Sequence, residues 1–371
     1  MDDELRAIST QFLGRDEIVA TEPLGSGHIH ETYRVDSRRG GEGCRTVLQR
    51  INTRVFADPH ALCQNLDRIT RHLRAKLAAA ESSDLERRCL TPLRTCQGAL
   101  LARDERGAHW RAFVYVDRAR TADRIEGPAQ ARGAAWAFAR FAADLVDLPG
   151  PPLVPTIPDF HGISNRIRNL DAAVAADAHG RAASVRREIE SSVRSWEWVQ
   201  AQLAAAGASE LPARVMHNDC KLNNLLLDEM TGEGICVIDL DTTMEATILA
   251  DFGQLVRTGA SRAAEDETRL DSIRFEDPLF DAIAAGYLAA FREHLTAIER
   301  GALAIAGPTV TLQNAVRFLA DHLAGDVYFR IHRAGHNLDR ARAQLRLFES
   351  MRAHFDGMRR SIDENWIRTT P

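Results

Sequence analysis

The apolar positions along the chain repeat with two different periods. In the first part, short runs of β-branched and other apolar residues, separated by glycine-rich or charged turns, predict five strands. These strands are 17–24, 29–35, 46–51, 99–103 and 109–116. Apolar residues recur at helical spacing over 60–77, directly after Asp58 and Pro59, which predicts a helix between the third and fourth strands. The first part is therefore expected to form a small antiparallel sheet with one helix.

The second part of the chain follows the helical period. Helices are predicted over 131–145, 163–206, 277–298, 309–325 and 337–361. A proline-rich connection at 149–158 separates the first two helices. One short hairpin interrupts the helices, with strands at 224–228 and 235–240 around a turn at 229–234. The two parts together predict an α+β fold.

Composition narrows the class of protein. The 371 residues include 47 basic and 52 acidic side chains, giving a net charge of −5. This length suits two domains or one domain built of two lobes. The nearly balanced charge, without a basic block, argues against a nucleic-acid binder. The N-terminal segment lacks the apolar stretch of a signal peptide, and no apolar run approaches the roughly 18 residues of a membrane span. We therefore expect a cytoplasmic protein without a membrane partner, whose six cysteines, with no CxxC pair, are reduced thiols.

The most informative segment, residues 217–224, spells H-x-D-x-K-x-x-N and precedes the predicted hairpin. Phosphoryl transfer needs a carboxylate that orients the attacking hydroxyl, oxygen ligands for Mg²⁺ and a cation against the transferred phosphate. Asp219 is therefore expected to act as the catalytic base, and Lys221 to contact the transferred phosphate. Asn224 and Asp239 are expected to hold Mg²⁺ together with ATP.

The hairpin brings these two metal ligands together. Counting outward from a turn centred near Thr231 and Gly232 puts Asn224 roughly opposite Asp239. Two side chains that are distant in sequence would then meet at one edge. Lys221 is one of only two lysines in the chain, so its presence in this motif is less easily an accident.

A second kinase-like triplet, Asp251-Phe252-Gly253, lies 32 residues after Asp219. It leads into a helix and does not end the hairpin strand. We therefore expect Asp251 to brace the catalytic loop or to cap a helix rather than to bind metal. His217 is likewise expected to fix the loop by hydrogen bonds rather than to accept a proton.

A glycine-containing turn joins the first two predicted strands. It consists of Gly25, Ser26, Gly27 and His28. The chain has no G-x-x-x-x-G-K-[ST] motif, which excludes a Walker-type site. A hairpin loop whose backbone N–H groups cover the phosphates of ATP suits this position, with His28 either contacting phosphate or covering the loop.

The third predicted strand lacks the lysine that kinases use to bind the α- and β-phosphates. Arg50 is expected to replace it. Gln49 is the alternative if the strand register differs by one residue, because such a slip exchanges the side chain that faces the cleft. The helix that follows offers Asp67 or Asn65 as a partner.

Taken together, these residues resemble the aminoglycoside-phosphotransferase-like small-molecule kinases, and within them the N-acetylhexosamine 1-kinases. The similar stretches are 25–33, 48–52, 217–224, 237–242, 325–329 and 336–342. The resemblance implies a bilobal protein-kinase-like fold with a small antiparallel N-terminal lobe (1–116) and a larger, mainly helical C-terminal lobe (117–371). It also implies ATP, Mg²⁺ and phosphorylation of the anomeric hydroxyl of N-acetylglucosamine or N-acetylgalactosamine.

A sugar pocket is expected near the C-terminal end of the resemblance, because 326–342 is unusually polar for its helical pattern. A solvated helical face would give the same pattern. The candidate substrate contacts are Tyr328, Arg340 and Arg342, together with Asp241 and Arg257, which lie near the expected metal ligand in sequence.

Two other interpretations remain open. The same fold could act on choline, homoserine, methylthioribose or an aminoglycoside, or it could be a kinase-like binding module without activity. The mixture of Arg, His, Asn and Asp in 326–342 favours a neutral sugar over a cation. The intact set of Asp219, Asn224 and Asp239 speaks against an inactive module, and the sequence leaves the oligomeric state open.

Overall fold

An antiparallel sheet occupies the first part of the computed structural model, which describes residues 3–25, 29–82 and 84–369. Its six strands follow the spatial order β1-β2-β3-β6-β4, with β5 paired to β6. They are β1 Glu17–Pro23, β2 Glu31–Arg39, β3 Glu42–Arg50, β4 Pro92–Leu93, β5 Ala102–Arg103 and β6 His109–Val114. The predicted sheet is confirmed, although 99–103 contributes only two strand residues and β4 has no counterpart in the prediction.

The second part is mainly helical, as predicted. The α-helices of the described residues are α1 Asp3–Leu13, α2 Pro59–Ala79, α3 Leu85–Arg88, α4 Pro128–Asp144, α5 Ile163–Ala176, α6 Arg186–Ala205, α7 Leu249–Gly259, α8 Asp277–Phe291, α9 Ala297–Leu323, α10 His336–Ala353 and α11 Phe355–Arg368. None of them is both long enough and apolar enough to cross a bilayer.

Several helix boundaries differ from the prediction for local reasons. The predicted helix 163–206 is divided into α5 and α6, because Asp177 adopts a left-handed conformation with φ 34° that ends α5. Helix α9 begins well before the predicted residue 309, because Thr296 and Glu299 form a capping box at its N-terminus. Pro308 lies inside α9 without ending it.

The two faces of the N-terminal sheet bury different partners. Helix α1 packs against the face that contains Leu48, whereas α2 packs against the face that contains Val47. Because side chains alternate along a strand, Gln49 lies on the α2 face with Val47. Arg50 lies on the α1 face with Leu48. Gln49 and Arg50, the two candidates for the place of the strand lysine, therefore lie on opposite faces of the sheet.

Two small sheets frame the motif segments of the C-terminal region. Their strands are β7 Ala119–Arg120, β8 Arg214–Met216, β9 Leu225–Asp228, β10 Gly234–Val237 and β11 Met244–Ala246. The pairing orders are β10-β9-β7 and β11-β8. The 217–224 loop joins β8 to β9, and the 238–243 turn joins β10 to β11, so both motif segments leave the same pair of sheets. The division of the chain at residue 116 stays a prediction.

Helix α9 supports much of this region. It is buried along most of its length and contacts α5, α6, α7 and α10. Gly253 permits the close approach of α7, because a Cβ at this position would lie 2.5 Å from the carbonyl oxygen of Ala306. Helix α7, which follows the 217–224 loop and strands β9 to β11, is thereby held directly against α9.

A comparable close approach between α4 and α8 leads to a stability prediction. A Cβ at Gly286 would overlap the carbonyl oxygen of Arg132. Gly286→Ala is therefore expected to lower the free energy of unfolding by about 1–3 kcal/mol, because backbone would have to shift. Chemical denaturation followed by circular dichroism measures this change.

Gly301→Ala is the matched control. Gly301 also lies inside a helix, but nothing surrounds its Cβ position within 4 Å. This substitution is expected to raise the free energy of unfolding by about 0.5–1 kcal/mol, because alanine loses less backbone entropy. Equal effects of the two substitutions would contradict the close packing of α4 against α8.

Candidate active site

The loop after β8 is held by a buried carboxylate from α7. Asp251 accepts hydrogen bonds from the backbone N–H groups of His217 (2.9 Å) and Asn218 (2.6 Å). Asn218 adopts a left-handed conformation with φ 68°, which is uncommon for a residue other than glycine. Its side-chain amide nitrogen donates to the carbonyl oxygens of Met216 and Thr242. Asp251 therefore braces the catalytic loop, in agreement with the sequence interpretation.

The His217 ring is a fixed part of the loop. Its Nδ1 accepts from the backbone N–H of Asp219 at 3.2 Å, so Nε2 carries the proton and donates to the carbonyl oxygen of Ile238 at 2.9 Å. The ring is fully buried, with Phe138 and Phe141 in edge contact. Both nitrogens are thus engaged by the backbone, which suits the structural role predicted for His217.

The Asp219 carboxylate is oriented by three side chains. Oδ1 accepts from Nε2 of Gln254 at 3.0 Å, and Oδ2 accepts from Nδ2 of Asn224 at 3.0 Å. The Lys221 ammonium lies 2.8 Å from Oδ2. Although burial opposes ionisation, the charge of Lys221 lowers the pKa of Asp219 overall. Asp219 is therefore a fixed, ionised carboxylate whose geometry suits a residue that accepts a hydroxyl proton.

The donor set at the end of the hairpin fits a divalent cation. The amide nitrogen of Asn224 donates to Asp219, which leaves the amide oxygen for another partner. Asp239 is an exposed residue, yet its carboxyl is crowded by protein. This burial, and then the charges of Asp241 and Asp219, raise its pKa. Negative charge that Lys221 does not neutralise is what a cation would stabilise.

The protein alone does not complete a coordination sphere. Among the described residues, no cluster of three His, Cys, Asp or Glu side chains is arranged around a metal position. Mg²⁺ commonly binds one or two carboxylates and fills its other positions with water and substrate phosphates. Asn224 and Asp239 are therefore suited to Mg²⁺ that arrives with a nucleotide.

The observed pairing leaves these two residues one position away from the expected register, because the hairpin turn is centred one residue earlier than expected and a bulge corrects only part of the difference. The pairing of β9 with β10 changes register between Gly234 and Cys236. Ile238 consequently lies opposite Asn224 and donates its N–H to the Asn224 carbonyl oxygen at 2.9 Å. Asp239 follows one residue later in a left-handed conformation with φ 58°. The expectation that Asn224 and Asp239 are close holds approximately, through a turn rather than a direct cross-strand pair.

Asp241 connects the two regions of the protein. Its carboxylate accepts two hydrogen bonds of 2.6 Å from the guanidinium of Arg111 on β6. Oδ2 also lies 2.7 Å from Nε2 of His30, which precedes β2. All three side chains are at least 95% buried. Burial raises the pKa of Asp241, but Arg111 and His30 lower it overall.

Gln49, rather than Arg50, faces this network. The oxygen of Gln49 accepts from both Nε (2.8 Å) and Nη2 (2.6 Å) of Arg111, its cross-strand partner on β6. Arg50 is instead partly exposed and pairs with Glu31 at 3.3 Å. The expectation that Arg50 replaces the strand lysine therefore finds no support in its position. The one-residue alternative, Gln49, occupies the correct face but is uncharged.

The glycine turn is only partly within the described residues. Gly25 adopts φ 74°, a left-handed conformation that favours glycine. The N–H of Leu24 donates to the carbonyl oxygen of Thr32 at 2.8 Å, which brings the ends of the turn together. The predicted roles of Ser26, Gly27 and His28 fall outside the described residues.

A second polar chain extends from Asp219 into the C-terminal helices. Gln254 donates to Asp219 and accepts from Nε of Arg257 at 2.9 Å. Arg257 also donates to Glu265 at 2.8 Å and to the Gln344 oxygen at 3.3 Å. Arg257, a sequence candidate for the substrate pocket, is thus two hydrogen bonds away from the Asp219 carboxylate.

An aromatic cluster borders the same side of the loop. The Arg317 guanidinium lies over the rings of Phe160, Tyr328 and Phe329, at 5.2–5.9 Å from their centroids. Burial, and then the charge of Arg166, lower the pKa of Arg317. The segment before α5 approaches the catalytic loop, because His161 Nε2 lies 2.8 Å from the Asn218 carbonyl oxygen. Tyr328, one of the predicted substrate residues, is 61% exposed at the edge of this cluster.

The other predicted substrate residues are divided by the structure. Arg340 donates to Asn337 at 3.1 Å and lies 4.0 Å from Glu265, on the side of Arg257. Arg342 instead donates to Glu188 of α6 at 2.6 Å. Asp241 lies between the two regions and is occupied by Arg111 and His30. Their roles as substrate contacts stay predictions.

Three residues of this site were missed in the sequence. Gln254 and Arg317 lie on helices, at polar positions that belong to no motif recognised in the sequence. Arg111 does carry a signal, because an isolated charge within H-W-R-A-F-V, an otherwise apolar strand, requires a buried partner. The partner itself could not be named, since it is 130 residues away.

The comparisons with known proteins identify the family. A family model described as the phosphotransferase enzyme family matches residues 20–296, which is well over half of the chain and includes both motif segments. The chain belongs to this family. The prediction of a phosphotransferase is confirmed, whereas the closer resemblance to N-acetylhexosamine 1-kinases stays a prediction.

Solved structures with the same fold match almost the whole chain. A microcompartment-associated aminopropanol kinase is 19% identical with a TM-score of 0.60, covering 98% of this chain and 100% of its own. A choline/ethanolamine kinase family protein from Mesorhizobium loti is 18% identical with a TM-score of 0.54, covering 96% and 99%. The GDP complex of aminoglycoside 2'-phosphotransferase-IIIa is 13% identical with a TM-score of 0.53, covering 95% and 99%. These similarities confirm the bilobal protein-kinase-like fold.

The brace on the catalytic loop gives a testable consequence. In Asp251→Asn, only one of the two backbone N–H groups keeps an acceptor, because an amide nitrogen replaces one carboxylate oxygen. The free energy of unfolding is expected to fall by about 1–3 kcal/mol, since a buried donor is left unsatisfied. Phosphotransferase turnover is expected to fall with it. Chemical denaturation and steady-state kinetics measure the two effects.

Asp277→Asn serves as the control, because Asp277 is 59% exposed at the start of α8 and lies 3.6 Å from His354. Its stability and turnover should stay close to wild type. Unchanged stability of Asp251→Asn would contradict the bracing role.

Proposed function

We propose that the protein is an ATP-dependent sugar kinase that phosphorylates the anomeric hydroxyl of an N-acetylhexosamine. The observation that carries the proposal is the fixed Asp219 carboxylate, which contacts Asn224 on one side and, through Gln254, the Arg257 guanidinium on the other. The first side suits the phosphates of a nucleotide with its metal, and the second suits a neutral polyhydroxylated acceptor.

Asp219 would orient the acceptor hydroxyl and accept its proton as the oxygen attacks the γ-phosphorus. The contacts from Gln254 and Asn224 fix the carboxylate before substrate arrives, which reduces the entropic cost of alignment. Lys221, 2.8 Å from Asp219, would stabilise charge on the transferred phosphoryl group. The proton that leaves the acceptor thus reaches Asp219, and the bond between γ-phosphorus and ADP oxygen breaks.

The nucleotide would bind where the turn at Gly25 meets the cleft. Mg²⁺, held by Asn224 and Asp239, would supply positive charge that neutralises the β- and γ-phosphates. The raised pKa of Asp239 supports this assignment, because burial and the charges of Asp241 and Asp219 oppose its ionisation and a bound cation would offset them. ATP as the nucleotide rests on the family resemblance.

The charge of the acceptor side favours a neutral substrate over an amine. Cationic acceptors need carboxylates that are available to bind them. In the described part of the chain, carboxylates near α10 are already bound by the protein itself. The pairs are Asp326 with Arg181, Glu188 with Arg342, Asp339 with Arg333 and Asp266 with His336. Amide and guanidinium donors, in contrast, suit the hydroxyl and acetamido oxygens of a sugar.

Replacing the proposed base tests the chemistry. Asp219→Asn keeps the shape of the side chain but removes its ability to take a proton. Turnover is expected to fall by about 10²–10⁴, with ADP binding largely kept, because the carboxylate acts mainly in the transition state. Coupled ATP-consumption kinetics and calorimetric ADP titration measure these two properties.

Asp271→Asn is the control, since Asp271 is exposed on a short turn outside the site. Near-full turnover in Asp219→Asn would show that Asp219 is not the base.

An acceptor panel tests the substrate. We expect Mg²⁺-dependent ATP consumption with N-acetylglucosamine or N-acetylgalactosamine, less with the parent hexoses, and none with choline or kanamycin-type amines. The methyl glycoside of the active sugar is expected to be inert, because its anomeric oxygen carries no proton. Phosphorylation of that glycoside would move the reaction to another hydroxyl, and preference for an amine would contradict the sugar assignment.

A further inference from the structure

On β3, position 49 faces the Asp241 network and carries no charge. The cation that the N-terminal region supplies to the nucleotide site is therefore expected on another element. Gln49 occupies that position and cannot bind phosphate as a cation. The neighbouring strand supplies one, because Arg111 pairs directly with Gln49 across β3 and β6. The Gln49 oxygen receives two N–H groups of Arg111, which fixes the direction of the guanidinium.

From this position the Arg111 side chain extends from β6 to Asp241, in the turn between β10 and β11. Its Nη1 and Nη2 atoms each donate to one Asp241 oxygen at 2.6 Å, which is a bidentate arrangement that lysine cannot form. Both side chains are almost completely buried, at 4% and 2% exposure. A buried pair of this kind holds one geometry, because either partner alone would be an uncompensated charge.

Asp241 is only two residues from Asp239, the proposed metal ligand. Asp239 occupies a left-handed conformation that requires support from its surroundings. The hydroxyl of Thr156 donates to the Asp241 carbonyl oxygen at 2.6 Å, and Arg111 and His30 hold its side chain. The backbone that carries Asp239 is therefore anchored to the N-terminal sheet through Asp241.

We propose that Arg111 is a positioning residue for the nucleotide and its metal, and that it takes the place of the missing strand lysine by acting through Asp241. The inference rests on the proposed kinase function. It also assigns Asp241 to the link between the two regions instead of to the acceptor, which differs from the role that the sequence suggested.

The test is calorimetric titration of the full chain with ADP, with and without Mg²⁺, combined with acceptor kinetics. In Arg111→Gln, affinity for ADP with Mg²⁺ is expected to fall by roughly 10–100-fold, the range typical for groups that orient a metal ligand. The KM for the acceptor is expected to stay near the wild-type value. Arg111→Lys should give an intermediate loss, because it keeps the charge but not the bidentate contact.

A double variant keeps the test valid if Arg111→Gln folds poorly. Arg111→Gln combined with Asp241→Asn leaves neither charge of the pair buried without its partner. Its melting temperature is expected to exceed that of Arg111→Gln, while the loss of ADP affinity in the presence of Mg²⁺ persists.

A matched control comes from another ion pair between the same two regions. Arg87 lies 2.7 Å from Asp228 of β9, and both side chains are less than 20% exposed. Arg87→Gln is expected to leave ADP affinity unchanged, because Asp228 lies at the turn end of the β9–β10 hairpin and Asp239 follows its other end. An equal loss in Arg87→Gln would attribute the effect to general docking of the two regions and overturn the inference.

The remaining outcomes are also decisive. Unchanged ADP affinity in the Arg111 variants, with a raised acceptor KM in Asp241→Asn, would return Asp241 to the acceptor site and overturn the inference. Wild-type protein that binds no ADP would instead contradict the proposed function itself. The two failures are therefore distinguishable in one series of titrations.

Discussion

The arrangement of the site depends on one buried carboxylate that takes no part in the proposed chemistry. Asp251 accepts the two backbone N–H groups at the start of the catalytic loop. Without these acceptors, Asn218 would have little reason to stay in its left-handed conformation, and Asp219 would not point toward Gln254 and Asn224. Asp251 lies on α7, and α7 packs closely on α9 at Gly253. The position of the 217–224 loop is therefore fixed relative to these two helices.

Three neighbouring carboxylates of the site, Asp219, Asp239 and Asp241, differ in their charged partners. Asp219 is neutralised by Lys221, and Asp241 by Arg111 and His30. Burial, and then the charges of Asp241 and Asp219, raise the pKa of Asp239 instead. This division is a physical reason for assigning proton transfer, lobe contact and metal binding to three different side chains of one chemical type.

The sequence predicted the main features of the fold because they follow from local patterns. Apolar periodicity located the sheet and most helices, and the loop motif located Asp219 and Asn224. Features that depend on distant partners were out of reach. The pairing of β9 with β10 places Ile238 rather than Asp239 opposite Asn224, and the register of β3 placed Gln49 instead of Arg50 on the face that carries Arg111. The partner of Arg111 is far away in the chain, and no local pattern encodes such a contact.

Helix α9 has 27 residues and would extend about 40 Å at the rise of an α-helix. Its first half supports the helix that braces the catalytic loop, whereas its second half carries Gln313 and Arg317 beside the aromatic cluster. The two sets of contacts lie on successive turns of the helix, since Ala306 and Val310 meet Gly253 of α7, and Gln313 and Arg317 follow within seven residues of Val310. A displacement of α9 along its axis would therefore disturb the brace on the 217–224 loop and the aromatic cluster together, which couples the placement of the two.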